Sequence, residues 1–473
     1  MENKRINGND LIALGYKENH AMGVALKINK KRLGFTRDQM LVHFKNVLEN
    51  PESYVHDKIF KPLAEVLLNI EAITRETISL KEVPVAYSVY GEEHIEEGAK
   101  KQMDTAMTLP VTVAGALMPD AHQGYGLPIG GVLATHNAII PYGVGVDIGC
   151  RMALSVFDLP ASYLEANHDK LKQIVLTNTR FGAGNGYLKQ ERVDHAVLDN
   201  PLFETHDLVR SLKDKAWTQL GSSGGGNHFV EFGVMDFAEK DEALGVERGK
   251  YLALLTHSGS RGLGATIADY YTKLAKQICK LPYQAQNLAY LDLQTAEGQE
   301  YWLAMNLAGD YASACHQVIH DKITRALGAT LLAKVENHHN FAWKEEFEGQ
   351  EVIVHRKGAT PAGEGTMGII PGSMATPGFL VRGKGKEIAI NSASHGAGRL
   401  MSRTQAIKTL QKGQLKQMLD DAGITLLGAG MDEAPMAYKD IHTVMSAQVD
   451  LVDVVATFSP KIVRMADDGS RED

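Results

Sequence analysis

From residue 83 onward the chain is a succession of short apolar and β-branched runs, among them VTVAGALMPD, GGVLATHNAIIP, RMALSVFDL and YLALLTHSGSRG, separated by glycine-rich turns. Runs of this length and composition predict strands, and the glycines between them predict tight reversals. Longer amphipathic stretches near 163–178, 262–281 and 295–327 predict helices that interrupt the strands. Strands and helices follow one another without regular alternation and without a repeat of fixed period. That excludes doubly wound and barrel architectures and predicts the α+β class. No Pro/Ser-rich linker falls after residue 83, so residues 83–466 are expected to form a single large mixed domain.

Residues 1–80 differ in character. NDLIALGYKENHAMGVALKI and TRDQMLVHFKNVLENPESYVHDKIFKPLAEVLLNIEAI place apolar residues three and four apart, broken at Pro51, and predict a small helical N-terminal module. Residues 467–473 are polar and acidic and predict a flexible tail. No run of about 18 apolar residues occurs and the first residues are charged, so a cytoplasmic protein with no membrane association is expected. Three cysteines in 473 residues exclude a disulfide framework. Cys279 and Cys315 lie in helical stretches and predict core packing, whereas Cys150 closes a strand run in GVDIGCRM.

A net charge of −8 excludes a protein that coats nucleic acid by charge alone. Between 355 and 403 the cations His355, Arg356, Lys357, Arg382, Lys384, Lys386, Arg399 and Arg403 gather against only Glu364 and Glu387. That is either a solvated face or a locally positive site.

Four glycine-rich turns each present a metal-ligating residue at a strand end, where geometry is rigid. They supply Asp147 and Cys150; Asn227, His228 and Glu231; His257; and His338 and His339, with Asn340 behind. Alone, each histidine is more simply a buried polar residue. Together, one carboxylate, one thiolate and three imidazoles suit Mn²⁺, Zn²⁺ or Co²⁺ better than Mg²⁺ or Ca²⁺. MPDAHQGYG adds Asp120 and His122, either a local turn cap or a polar group facing the same pocket. In IIPGSMATPG, Gly372 and Ser373 can turn N–H groups and a hydroxyl toward a phosphate. There is no Walker or dinucleotide fingerprint.

NSASHGAGRL sets His395 among residues too small to pack around it, with Arg399 four positions on. A neutral imidazole is a competent nucleophile toward phosphorus, small neighbours leave an in-line approach, and an arginine offsets charge on phosphoryl oxygens. The residues also allow a ligand or a buried polar histidine.

MPDAHQGYGLPIGG, GVDIGC, GGGNHFVEF, THSGSRG, HHNFAW, VHRKGATPA, IPGSM and SHGAGR, in this order, resemble the RtcB family of RNA-splicing ligases over roughly residues 83–460. The resemblance implies an RtcB-like ligase catalytic domain. It would join RNA ends carrying a 2′,3′-cyclic phosphate or 3′-phosphate to a 5′-hydroxyl, in tRNA splicing or RNA repair, with GTP and two Mn²⁺ ions. An activating protein is a further partner the resemblance allows. By motif, His395 would carry GMP as the nucleophile, with Arg399 and Asp120 beside it in the catalytic set. Cys150, His228 and His339 would hold one ion and Asp147, Cys150 and His257 the other. Asn227, Glu231, Asn340, Pro371, Gly372, Ser373, Met374, Gly396, Ala397 and Gly398 would line the nucleotide, and His338 would be an additional neighbour.

Two positions depart from the family pattern. Gly378 stands where a serine is usual near the base, and Met465 and Ala466 stand where a Lys-Gly pair is usual, with Arg464 one residue off. Both predict a changed or weakened base preference, or one met by Arg464. A second function class is a metal-dependent phosphodiesterase or phosphatase with the same dimetal pocket, although plain hydrolysis has no use for a histidine nucleophile. The N-terminal GNDLIALGY segment bears a looser similarity to tails of some tRNA nucleotidyltransferases.

Overall fold

The strand runs pair into two principal sheets in a computed structural model that describes residues 6–16, 20–29, 35–72 and 77–467. Seven strands of the larger sheet follow the order Met367–Ile370, Gly378–Gly383, Val452–Met465, Phe229–Phe237, Gly249–Ser258, Arg151–Pro160 and Leu331–His338, and Thr425–Gly428 adds a parallel partner to Val452–Met465. The second sheet follows the order Ser88–Val89, Thr112–His122, Ile129–Thr135, Gln350–Lys357, Asn340–Phe347. With the helices between them this is the α+β class.

The central strands read as continuous apolar runs because both their faces are covered. Side chains alternate across a strand, so Leu252 and Leu254 face Ile319 and Ile323 of the long helix Ala296–Leu327. Ala253 and Leu255 face the opposite way, onto Met152, Leu154, Val335 and Ile369. On that side the sheet curls until its two edge strands meet. Asn337 Oδ1 accepts the Ile369 N–H at 2.9 Å, and Asn337 Nδ2 donates to Thr360 Oγ1 at 2.8 Å. One side chain thus links the two edge strands at Ile369.

The helices fall where the amphipathic stretches predict, with one exception. The 163–178 stretch is two helices, Ser162–Ala166 and His168–Asn178, because Asn167 leaves helical geometry (φ −123°, ψ 24°). The long helix starts where Thr295 caps the Gly298 N–H and stops at Gly328, in the left-handed region. Cys279 and Cys315 are buried in the helix-lined core. Among the described residues no helix is long and apolar enough to cross a membrane.

The chain divides into two compact units, Met1–Thr77 and Ile78–Asp473. In the first, Gly8–Ala13, His20–Asn29, Arg37–Glu49 and Lys61–Ala72 are helices, and reciprocal capping boxes at Asn7/Asp10 and Thr36/Gln39 start two of them. Leu11, Ala25, Phe44, Val47 and Leu63 form its own core. Pro51 opens a short turn of 3₁₀ helix, where its missing N–H costs nothing. Parts of the predicted N-terminal module (1–5, 17–19, 30–34 and 73–76) and residues 468–473 of the predicted tail lie outside the described residues.

Candidate active site and metal centre

Strand register gathers the predicted ligands at one end of the larger sheet. Met152 pairs with His257, His257 with Phe229, and Arg151 with His338. Cys150, His228 and His339 each sit one residue beyond those pairs. His339 is the link between the last strand of the larger sheet and the first residue of Asn340–Phe347 in the smaller one. Its N–H donates to the Cys150 carbonyl at 3.0 Å.

The donor atoms converge. Cys150 Sγ lies 3.1 Å from His257 Nε2 and 3.5 Å from His228 Nε2. His257 Nε2 and His339 Nε2 are 3.2 Å apart, and His228 Nε2 is 3.0 Å from Asp147 Oδ2. The second nitrogens fix the tautomers. His228 Nδ1 lies 2.6 Å from the Ser223 carbonyl and His257 Nδ1 3.1 Å from the Asn227 carbonyl. A carbonyl only accepts, so Nδ1 carries a proton in both rings and Nε2 is the nitrogen turned toward the other donors. Burial pushes His257 and His339 well below the ordinary imidazole value, and the neighbouring imidazoles add to the effect, so both are neutral at pH 7. Two neutral imidazoles, a cysteine sulfur, a third histidine and a carboxylate therefore converge at about 3 Å, a donor set that fits bound cations. The groups that could hold an ion are Asp147 with Cys150 and His228, and Cys150 with His257 and His339.

This pairing corrects the expected one. The resemblance grouped His228 with His339 and His257 with Asp147. The register places His257 beside His339 and leaves His228, anchored on Ser223, against Asp147. Cys150 is common to both groups in either arrangement. His338 is not a neighbour of the cluster: it packs on Phe341 and Trp343, at ring-centroid distances of 5.0 and 4.8 Å. Alternation along the strand turns it from its neighbour His339.

His395 sits against the cluster, its ring centroid 4.9 Å from that of His339. Asp120, fully buried on Thr112–His122, is its partner rather than a group facing the metal donors. Asp120 Oδ2 is 2.6 Å from His395 Nδ1 and accepts the His395 N–H at 3.1 Å. Burial acts to raise the Asp120 pKa, but His395, and then Lys439 and His122, outweigh it and hold the carboxyl below its ordinary value. An ionised carboxylate only accepts, so Nδ1 carries a proton and Nε2 is the ring nitrogen turned away from Asp120. Gly398 (φ +74°) rests its α-carbon on the Asp120 carbonyl, where a side chain would collide.

A cavity of about 330 Å³ is lined by Asp147, Cys150, His257 and His339, by His395 and Arg399, and by Asn227, Glu231, Asn340, Pro371 to Met374 and Gly396 to Gly398. His228 and Asp120 stand behind its wall. Asn227 Oδ1 is buried with no hydrogen-bond partner among the described residues. Two expectations change in detail. The Ser373 N–H and hydroxyl are spent inside their own turn, on Thr376 Oγ1 at 2.6 and 2.9 Å, so Ser373 does not offer its N–H to a phosphate. The Arg399 guanidinium is held by Tyr438 Oη at 3.2 Å, the Asp432 carbonyl at 2.6 Å and Glu433 at 3.5 Å. It braces the cavity wall through residues that sequence spacing could not connect to it.

One end of the cavity is apolar, with Phe229, Met374, Gly378, Val463 and Met465. Arg464 is absent from it. Strand alternation turns Arg464 to the other face, where Nη1 donates to the Leu176 carbonyl and to Thr179 Oγ1, both at 2.9 Å. Arg464 is therefore not a substitute for the missing lysine. Sequence reasoning also missed Lys357 as a lining residue. It was one cation among eight, and its burial, which pushes its pKa down to about 7, depends on the smaller sheet.

Glu231 is buried in the cavity wall, and desolvation raises its pKa well above the ordinary value of 4.5. The folded chain keeps this proton over a pH range in which the unfolded chain has lost it, so stability falls as pH rises through that range. In metal-free protein, Glu231→Gln is expected to melt about 2 °C or more above wild type at pH 8, with no gain at pH 4. Thermal melts at the two pH values check this, and equal differences at both would contradict it.

Five potential metal donors grouped around one cysteine, beside a histidine held by a buried carboxylate, define an α+β protein with a candidate metal centre. A family model described as tRNA-splicing ligase RtcB matches residues 102–212 and 190–466. The chain is 34% identical over 426 residues to the RNA-splicing ligase RtcB of Escherichia coli (strain K12), covering 82% of this chain and 98% of that protein. It is 29% identical over 457 residues to the tRNA-splicing ligase RtcB of Thermococcus kodakarensis, covering 80% and 94%. Against the tRNA-splicing ligase RtcB of Nanoarchaeum equitans it is 32% identical over 417 residues, covering 73% and 87%. The chain belongs to the RtcB family of ligases.

Proposed function

We propose that this protein joins RNA ends carrying a 2′,3′-cyclic phosphate or 3′-phosphate to a 5′-hydroxyl, with GTP as the nucleotide substrate and two Mn²⁺ ions as cofactors. Family membership supports the RNA substrate class. The observation that carries the chemistry is the Asp120–His395 pair, 2.6 Å apart, whose histidine lines one cavity with four of the five candidate metal donors, Asp147, Cys150, His257 and His339. Asp147, Cys150 and His228 would hold one ion and Cys150, His257 and His339 the other; bound there, the ions would polarise phosphoryl oxygens.

His395 Nε2 attacks the α-phosphorus of GTP, forming an N–P bond as the bond to pyrophosphate breaks. Asp120 holds the Nδ1 proton and offsets the positive charge that develops on the ring. The small residues Gly396 and Gly398 leave the approach open. A 2′,3′-cyclic phosphate end first adds water, breaking its P–O2′ bond to give the 3′-phosphate. An oxygen of that 3′-phosphate then takes GMP from His395 as the N–P bond breaks, and the 5′-hydroxyl, giving up its proton, attacks the 3′-phosphorus with GMP leaving. The Glu231 carboxyl and Asn227 Oδ1, the latter without a hydrogen-bond partner among the described residues, offer polar contacts to the bound nucleotide.

A second reading concerns only the base. With Gly378 and Met465 at the apolar end and Arg464 turned away, that end holds a base by shape and dispersion, not by an ammonium group. GTP selectivity is then expected to be weak. The test is ligation of a 3′-phosphate RNA to a 5′-hydroxyl RNA with Mn²⁺ and either GTP or ATP. Joined product with both nucleotides, within about tenfold, is expected. Strict dependence on GTP would contradict the weakened preference, and no product with either would contradict the ligase reading.

A further inference from the structure

Beside the catalytic cavity lies a second one of about 280 Å³, lined by Lys101, Gln102, Gln123, Gln284 and Asn287 among others, and Tyr125 belongs to both walls. Tyr125 lies in the loop between strands Thr112–His122 and Ile129–Thr135 and is 69% exposed. A single exposed aromatic means little by itself. What distinguishes this one is how firmly its backbone is held.

Each of four consecutive residues is anchored by a different side chain or backbone. The Gln123 N–H donates to Glu96 Oε1 at 2.5 Å. Gln102 grips Gly124 at both ends, accepting its N–H at 3.0 Å and donating to its carbonyl at 2.6 Å. The Tyr125 carbonyl accepts from Lys357 Nζ at 2.5 Å. Gly126 (φ +73°) rests on the Asn287 carbonyl, with no room for a Cβ. A loop that only reverses direction needs none of this, whereas a ring that must stay in one place at a cavity mouth does. Behind it, the Tyr142 ring is near parallel, 6.2 Å away at 24°. Lys357 and Lys276 lie 5.1 and 5.5 Å from the Tyr142 ring centre and bring two amino groups behind the Tyr125 ring. Lys357 is followed by Gly358, whose α-carbon faces the His395 ring.

We propose that Tyr125 is a stacking platform for the unpaired base next to the RNA 3′-phosphate, and that the polar rim of the neighbouring cavity, Lys101, Gln123 and Gln284, receives the phosphate and sugar of the preceding nucleotide. This rests on the RNA-ligase reading. An aromatic face accepts any base, and a fixed ring loses little entropy on binding. The platform therefore holds single-stranded ends of varied sequence, with the terminal phosphate directed at His395.

The experiment is fluorescence anisotropy of a short 3′-phosphate RNA, labelled at its 5′ end, at fixed salt, with or without an abasic nucleotide at the 3′ position. Wild-type protein is expected to bind the abasic RNA about tenfold or more weakly. Tyr125→Ala should bind the base-bearing RNA with a similar loss and no longer sense the base, and Tyr125→Phe should retain the discrimination. Equal wild-type affinity for both RNAs, or a Tyr125→Ala protein that still discriminates, would overturn the platform while leaving the ligase reading in place. A wild-type protein that neither binds RNA nor takes up nucleotide label would overturn that reading, and the platform with it.

Discussion

Replacing Cys150 with alanine is expected to remove metal binding from both donor groups at once, because Cys150 is their common member. Loss of any other ligand leaves one group intact. The Cys150 Sγ lies between His228 and His257, 3.5 and 3.1 Å from their Nε2 atoms. Nucleotide transfer should fall by more than about 100-fold, beyond the loss typical for residues that merely support a ligand. The readout independent of activity is metal-linked stability. At Mn²⁺ about 100 times its Kd, bound ion raises stability by about 2.7 kcal/mol at each site. Wild-type Tm should climb with Mn²⁺ and that of Cys150→Ala should not. A variant that still binds Mn²⁺ as wild type does would show that the cysteine is not a ligand.

The second large effect is expected from Asp120→Asn. The carboxylate accepts from His395 and cannot do otherwise; an amide can turn its NH₂ toward Nδ1, which shifts the proton to Nε2 and occupies the attacking lone pair. It also removes the charge opposite the ring. Together these should slow formation of the covalent nucleotide adduct by about 10²- to 10⁴-fold. Stability should respond to pH with a definite sign. The Asp120 pKa is lowered in the folded chain, so its contribution is present above the ordinary value of 3.8 and is lost as pH falls through the folded value. Wild type should therefore out-melt Asp120→Asn at pH 7, and the gap should close in strong acid. Single-turnover labelling and melts across pH check both halves, and a variant labelled at the wild-type rate would remove Asp120 from the mechanism.

Much of the site was legible because its chemistry is local in sequence. A histidine, cysteine or aspartate beside a glycine at the end of an apolar run marks a strand end bearing a candidate ligand, as in GVDIGC and THSGSRG. Which strand ends are neighbours is another matter. That depends on register, and only the pairings of His257 with Met152 and Phe229 set His257 beside His339. The partners of Arg399 were hidden for a similar reason, since Asp432, Glu433 and Tyr438, which hold it, come more than thirty residues later. The orientation of Arg464 did have a sequence signal, the period-two alternation with Val463 and Met465. An irregularity in pairing between Pro460 and Ile462 hides its phase. The α+β class followed from element order alone, but the curl of the larger sheet did not, because it is closed by one asparagine, Asn337, bonding across two edges.

The central claim is that His395 Nε2 is the nucleophile that takes up nucleotide. The most direct measurement is incubation of the full chain with Mn²⁺ and α-³²P-labelled GTP or ATP, followed by denaturing electrophoresis, with His395→Ala alongside. Acid-labile label that stays on the wild-type chain and is missing from the variant is the predicted result. Label that persists in His395→Ala, or metal-loaded wild-type protein that takes up none from either nucleotide, would contradict it.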